Sequence, residues 1–98
     1  IEKNKLTATI SYFKKIYFEE YLKWAGTEYI YVQAGYLADQ PRATQTIEDM
    51  IAEGTLRDLT FEWGNMLAKV DLDHPFKEPD ERLVQLFRDN YSMEKNGN

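Results

Sequence analysis

The sequence predicts a mainly α-helical fold with one small β-hairpin. Three segments place apolar residues at intervals of three and four, the spacing of an amphipathic helix: residues 6–25, 42–53 and 79–92. Between the second and third segments, Gly64-Asn65 separates two stretches in which apolar and polar residues alternate, as in a hairpin. The alternative is an all-α bundle of five helices, because the alternating stretch also fits a helix.

The composition is that of one ordinary globular domain. The 98 residues are 43% hydrophobic and 30% charged, unlike the charge-rich, hydrophobe-poor composition of disordered chains. We expect a single domain over residues 1–98, with a core from about residue 6 to residue 92 and a frayed polar tail at 93–98. Because the chain begins at Ile1 and not at methionine, an excised piece of a longer protein is one interpretation.

Charge and residue types restrict the classes of function. Seventeen acidic and twelve basic side chains give a net charge of −5. Binding to nucleic acid or to an anionic membrane would therefore require a local basic patch on the protein. The absence of cysteine excludes disulfides, thiolate nucleophiles and cysteine zinc sites. No apolar run approaches the roughly 18 residues that span a bilayer, and residues 1–5 are too polar for a secretory signal. We therefore expect a cytoplasmic protein that does not bind membranes.

The first helix is predicted over residues 6–25. Its main apolar stripe consists of Leu6, Ile10, Phe13, Tyr17, Tyr21 and Trp24. Phe18 and Leu22 fall outside that stripe when successive residues are rotated by about 100°, so they form a second apolar patch. Either another helix covers this patch, or it is a surface for a dimer or partner.

The tyrosine-rich segment at residues 28–39 is ambiguous. Tyr29, Val32 and Tyr36 share a helical face, whereas Tyr29, Tyr31 and Gln33 would alternate in a strand. Periodicity does not decide between the two in so short a run.

Residues 42–53 are predicted to form a helix with clear boundaries. Pro41 suits the first turn of a helix and Gly54 suits its end. The inward stripe of this helix would be Ala43, Ile47, Met50 and Ile51.

Residues 55–72 fit two incompatible structures. As a helix, Thr55 would cap the first turn, and the interior Gly64 would cost about 1 kcal/mol. As a hairpin, Gly64-Asn65 would be the turn, and the pairs on one face would be Trp63 with Met66, Phe61 with Ala68 and Leu59 with Val70. We favour the hairpin, because it accounts for both Phe61 and the glycine.

A last helix is predicted from about Pro79 to Ser92. Acidic residues around Pro79 suit a helix N-terminus, where the backbone dipole favours negative charge. The apolar stripe that follows is Leu83, Leu86, Phe87 and Tyr91.

Residues 31–56 resemble the helix-turn-helix of the winged-helix superfamily, in the manner of the small multiple-antibiotic-resistance-type regulators. In this resemblance the first helix carries the inward residues Val32 and Tyr36, and Ala38 is the apolar residue of the turn. The second helix is the one predicted at 42–53, and residues 55–72 would be the wing. The glycine that the family usually has near Leu37 is absent.

The resemblance implies a transcription-regulatory protein that binds double-stranded DNA as a homodimer, joined through its terminal helices. The second helix would be the recognition helix. The implied nucleic-acid-binding residues are Arg42, Thr44 and Gln45 at its start, and Arg57 and Lys69 in the wing. Charge opposes this function, because Arg42 is the only base in residues 28–56 against five acids: Glu28, Asp39, Glu48, Asp49 and Glu53.

The same acidity supports an alternative function. The chain would then be an acidic protein-interaction module that binds a basic protein, such as one whose nucleic-acid site it occupies and inhibits. Its contact residues would be Phe18, Leu22, Glu48 and Asp49.

An enzyme is the least expected class, and no catalytic residue, metal or cofactor is predicted. His74 stands beside Asp71 and Asp73, a combination that can bind zinc or manganese. With no second histidine in the chain, we expect His74 to lie in an exposed loop instead.

Overall fold

The computed structural model describes residues 14–95, which fold into three helices and one three-stranded antiparallel sheet. The element order is α1 (Lys15–Ala25), β1 (Tyr29–Val32), α2 (Pro41–Glu53), β2 (Leu56–Glu62), β3 (Asn65–Val70) and α3 (Glu81–Asn90). The strand order in the sheet is β1-β3-β2. The described chain is thus a small α+β fold that contains the predicted hairpin, and the all-α alternative is wrong.

The core lies between one face of the sheet and the helices. Its largest fully buried side chains come from all three helices, from each strand of the sheet and from the turn before α2: Phe18, Leu22, Val32, Leu37, Ile47, Met50, Ile51, Leu56, Met66 and Phe87. Burying one such side chain stabilises the fold by roughly 1.5–3 kcal/mol. The helices therefore depend on the sheet, and the sheet on the helices.

Helix α1 begins later than predicted and turns a different face to the core. Lys14 is extended (φ −65°, ψ 157°), so one continuous helix over 6–25 is wrong, and residues 6–13 lie outside the described part. Phe18 and Leu22 are each 1% exposed, whereas Tyr17 and Trp24 are more than half exposed. The sequence contains two apolar stripes. The predicted core stripe is the aromatic one, but tyrosine and tryptophan rings often remain partly exposed to solvent. Phe18 and Leu22 therefore form no exposed partner surface.

The ambiguous tyrosine-rich segment is a strand followed by turns. Residues 29–32 alternate between exposed and buried and pair with β3. Residues 34–39 then form successive turns, in which Tyr36 N–H bonds to Gln33 O at 3.1 Å and Ala38 N–H bonds to Gly35 O at 3.3 Å. The helix expected to carry Val32 and Tyr36 is therefore not formed at these residues.

The hairpin turn is one residue earlier than predicted. Its two central residues are Trp63 (φ 56°) and Gly64 (φ 79°). Positive φ at both central residues is typical of the two-residue turn that matches the twist of a hairpin. Glu62 pairs with Asn65, and Phe61 pairs with Met66 on the core face. The predicted pairing of Trp63 with Met66 is therefore wrong, as are the pairs that followed from it.

The remaining helices are close to their predicted positions. Helix α2 begins at Pro41 and ends at Gly54, which has φ 81°. Helix α3 is shorter than predicted, because Asp80 caps its N-terminus by accepting a hydrogen bond from Arg82 N–H at 3.0 Å, and Tyr91 is extended. Among residues 14–95, no helix is both long and apolar enough to cross a bilayer.

Candidate nucleic-acid interface

The outward face of α2 carries Arg42, Gln45 and Asp49, spaced at i, i+3 and i+7. Arg42 and Gln45 are exposed and Asp49 is half-buried, while the opposite face is closed into the core. The Gln45 side-chain amide donates a hydrogen bond to Asp49 Oδ1 at 2.8 Å. This contact orients Gln45 and leaves its carbonyl oxygen and one N–H available to a ligand.

Thr44, predicted beside Arg42 and Gln45, is not free to bind a ligand. Its hydroxyl donates to Gln40 O at 2.8 Å, and Leu37 O lies 3.3 Å from it. Thr44 therefore ties α2 to the preceding turn. The Gln40 side chain does not cap the N-terminus of α2. Since Pro41 has no N–H, the first backbone donors at this end are those of Arg42 and Ala43.

The acidic residues around α2 are mostly paired with bases from distant parts of the chain. Glu53 lies 2.9 Å from Lys15, Glu48 lies 2.9 Å from Arg88, and Asp39 pairs with Lys95. Three of the five acids in residues 28–56 thus have a counter-charge that a count along the segment misses.

These contacts also raise the pKa values of the two bases Lys15 and Arg88. Partial burial by itself would lower the pKa of Lys15, but hydrogen bonds and charge interactions with Glu53 and Glu19 raise it overall. The hydrogen bonds from Arg88 to Glu48 likewise raise the pKa of Arg88. Both bases are therefore positively charged at neutral pH.

Arg57, predicted to contact nucleic acid from the wing, is used inside the protein. Its guanidinium donates to Gly54 O and His74 O, lies 3.4 Å from an Asp71 oxygen and stacks 5.1 Å above the Phe76 ring. Arg57 therefore fastens the loop after β3 onto the end of α2.

His74 lies in that loop and is largely exposed. Its Nδ1 is 3.0 Å from Asp71 Oδ1, a hydrogen bond that lowers the pKa of Asp71. In the described part of the chain, no three His, Asp or Glu side chains are grouped so that they could hold a metal ion. The Asp71–His74 contact is thus part of the loop structure.

Lys69 lies on the other side of the sheet from α2. It pairs with Tyr29 in β1 and Arg57 in β2, and its side chain is exposed on the face that points away from the core. The five predicted nucleic-acid residues therefore do not form one surface. Only Arg42 and Gln45 share an exposed strip.

The tip of the hairpin is fixed to the body of the protein. Gly64 O accepts a hydrogen bond from Ser92 N–H at 2.9 Å, and Asn65 Oδ1 accepts one from Ala34 N–H at 2.7 Å. A Cβ on Gly64 would lie 2.6 Å from the Ser92 Cβ, which shows how closely the tip is docked. The predicted wing is thus held at its end.

Trp63 was not predicted as a binding residue, because the expected pairing with Met66 places it on the core face of the hairpin. Trp63 is 88% exposed at the docked hairpin tip. The signal was available in the Trp-Gly pair, because a two-residue turn needs positive φ at both positions and glycine suits the second one.

Comparisons of the chain with protein-family models, curated proteins and solved structures find no match.

Proposed function

We propose that this protein is a small winged-helix-like regulator that binds duplex DNA through α2. The topology supports this proposal, since a helix and a strand precede α2, a two-stranded hairpin follows it, and the first strand pairs with the last. Helix α2 corresponds to the recognition helix in such an arrangement.

The observation that carries the proposal is the exposed strip of Arg42 and Gln45 at the start of α2. Arginine can donate two hydrogen bonds to guanine, and glutamine can bind adenine with one donor and one acceptor. The N-terminus beside them, which the Gln40 side chain does not cap, favours a phosphate, because the backbone N–H groups of Arg42 and Ala43 and the helix dipole attract an anion. Pairing of Glu48 and Glu53 with Arg88 and Lys15 reduces the repulsion that the local sequence predicts.

The test is fluorescence anisotropy with a labelled duplex at several salt concentrations. We expect affinity to fall as salt rises, since bound phosphates release counterions. Arg42→Ala should weaken binding by about 1–3 kcal/mol. Arg82→Ala is the matched control, because Arg82 is an exposed arginine on another helix. An absence of binding at low salt, or equal losses in the two variants, would contradict the proposal.

A second candidate function is binding of a basic protein segment, and the observation that favours it is Trp63. The indole is almost fully exposed, is held on an anchored turn and follows the exposed Glu62. A tryptophan beside a carboxylate can bind an arginine or lysine by a cation–π contact and an ion pair. An arginine-rich peptide should then quench the tryptophan fluorescence. Trp63→Ala should abolish this binding and Trp24→Ala should not; equal effects would argue against Trp63.

A further inference from the structure

The two edges of the sheet differ in their protection. The edge strand β2 has a register shift between Arg57 and Thr60, and Asp58 in that region has φ 51° and an exposed carboxylate. Bulges and charges of this kind prevent a further strand from pairing. The other edge strand, β1, has the sequence Tyr-Ile-Tyr-Val, with no charge, proline or bulge.

The hydrogen-bond pattern shows which groups of β1 are unpaired. Val70 N–H donates to Glu28 O at 2.8 Å, and bonded pairs alternate along an antiparallel ladder. Ile30 and Val32 therefore direct their backbone groups toward β3, opposite Ala68 and Met66. By the same alternation, the N–H and C=O groups of Tyr29 and Tyr31 point away from β3. Within residues 14–95, no backbone hydrogen bond outside the regular strands and helices uses them.

We propose that β1 pairs with β1 of a second copy of this chain, in antiparallel orientation about a two-fold axis at Ile30. Tyr29 then lies opposite Tyr31 of the partner subunit, and each such pair exchanges two hydrogen bonds. All the outward backbone groups of Tyr29 and Tyr31 are satisfied in both copies. The two sheets become one continuous sheet with both β1 edges closed.

Gln33 selects this register over the neighbouring one. An axis at Tyr31 would place Tyr29 opposite Gln33 of the partner subunit and would require the Gln33 carbonyl. That carbonyl already accepts hydrogen bonds from the Tyr91 hydroxyl at 2.6 Å and from Tyr36 N–H at 3.1 Å. An axis at Ile30 requires only groups that have no partner.

The side chains fit the same arrangement. Tyr29 and Tyr31 are 54% and 53% exposed on the outer face of the sheet, and directly opposed aromatic residues stabilise an antiparallel pair. A second copy is favoured because β1 is self-complementary and uncharged, so no like charges meet across the axis. The contact is short, and we expect a dimer whose fraction rises with protein concentration.

The experiment measures molecular mass by sedimentation equilibrium over a concentration series. Two double variants test the register. Tyr29→Glu with Tyr31→Glu places like charges opposite each other at both pairs, whereas Tyr29→Glu with Tyr31→Lys places opposite charges there. In both variants the carboxylate at position 29 faces Lys69 within its own chain, so the fold should tolerate it, and circular dichroism checks this.

We expect the unchanged protein to dimerise, the Glu/Glu variant to remain monomeric and the Glu/Lys variant to dimerise again. Hydrogen exchange gives a second measure: the Tyr29 and Tyr31 amides should become protected as concentration rises, while the Ile30 amide is protected throughout. A monomer at every concentration overturns the proposal. A dimer that persists in the Glu/Glu variant, or a Glu/Lys variant that stays monomeric, also overturns it. None of these measurements involves DNA.

Discussion

Arg88 of α3 binds Glu48 of α2 through two hydrogen bonds, Nε to Oε2 at 2.9 Å and Nη2 to Oε1 at 3.0 Å. The Glu48 side chain is 13% exposed, so this carboxylate is largely enclosed by the two helices. Because the two residues are 40 positions apart in the chain, helical periodicity could not reveal the contact. Glu48, one of the acids expected on a partner-binding surface, instead joins two helices.

The first prediction concerns this pair and DNA. Arg88→Ala should lower the melting temperature and weaken DNA binding, because an unpaired carboxylate would then remain on the helix that carries Arg42. Adding Glu48→Gln should restore most of the DNA affinity by removing that charge. Anisotropy and thermal unfolding of the two single variants and the double variant give the coupling between the residues. If the double variant bound DNA no better than Arg88→Ala, the effect would not be one of charge compensation.

The second prediction concerns the buried hydroxyl of Tyr91. This hydroxyl donates to Gln33 O at 2.6 Å and accepts from Leu37 N–H at 3.2 Å, and the ring stacks on Phe87. Tyr91→Phe keeps the ring but leaves the Leu37 N–H and a carbonyl without this partner. The free energy of unfolding should fall by about 1–3 kcal/mol, measured by urea denaturation. A change below a few tenths of a kcal/mol would mean that water replaces the hydroxyl.

The third prediction is a pH dependence from the same residue. Burial raises the pKa of Tyr91 above its ordinary value of 10.0, so the folded state holds the neutral phenol. Stability from this group is complete below the unfolded pKa and is lost as pH rises from about 10 through the folded pKa. The unchanged protein should therefore lose stability more steeply above about pH 10 than Tyr91→Phe does. Parallel curves for the two proteins would show that other groups cause the loss.

The sequence predicted α2 almost completely, because its boundaries and its inward face depend on local signals. Pro41 and Gly54 mark its ends, and its apolar residues form only one stripe. Arg42 and Gln45 lie on the face opposite that apolar stripe, so their exposure could be predicted from the sequence.

The face of α1 and the register of the hairpin required tertiary information. Two apolar stripes compete in α1, and only packing against the sheet selects Phe18 and Leu22. In the hairpin, the turn at Trp63-Gly64 brings Phe61 opposite Met66 in the core and lets Asn65 bind Ala34. The hydrogen bond from Arg57 to a loop 17 residues later is equally non-local. The sequence alone therefore did not indicate that the Arg57 guanidinium is bound within the protein.

The last prediction compares two glycines that end helices. Gly26 (φ 63°) and Gly54 (φ 81°) both have left-handed backbones, so alanine should cost about 1 kcal/mol at either position. A Cβ at Gly26 would meet no atom within 4 Å, whereas a Cβ at Gly54 would lie 2.7 Å from the Phe76 ring. Phe76 would have to move away from Arg57, and Gly54→Ala should therefore be the more destabilising change.

A Phe76→Ala background isolates that clash. Without the ring, Gly54→Ala should cost no more than Gly26→Ala, because only the backbone strain remains. The measurement is the urea denaturation midpoint of five proteins: the unchanged chain, Gly26→Ala, Gly54→Ala, Phe76→Ala and the double variant with Gly54→Ala and Phe76→Ala. If Gly54→Ala stayed the costlier change after the ring was removed, the contact between the ring and the helix end would not explain the difference.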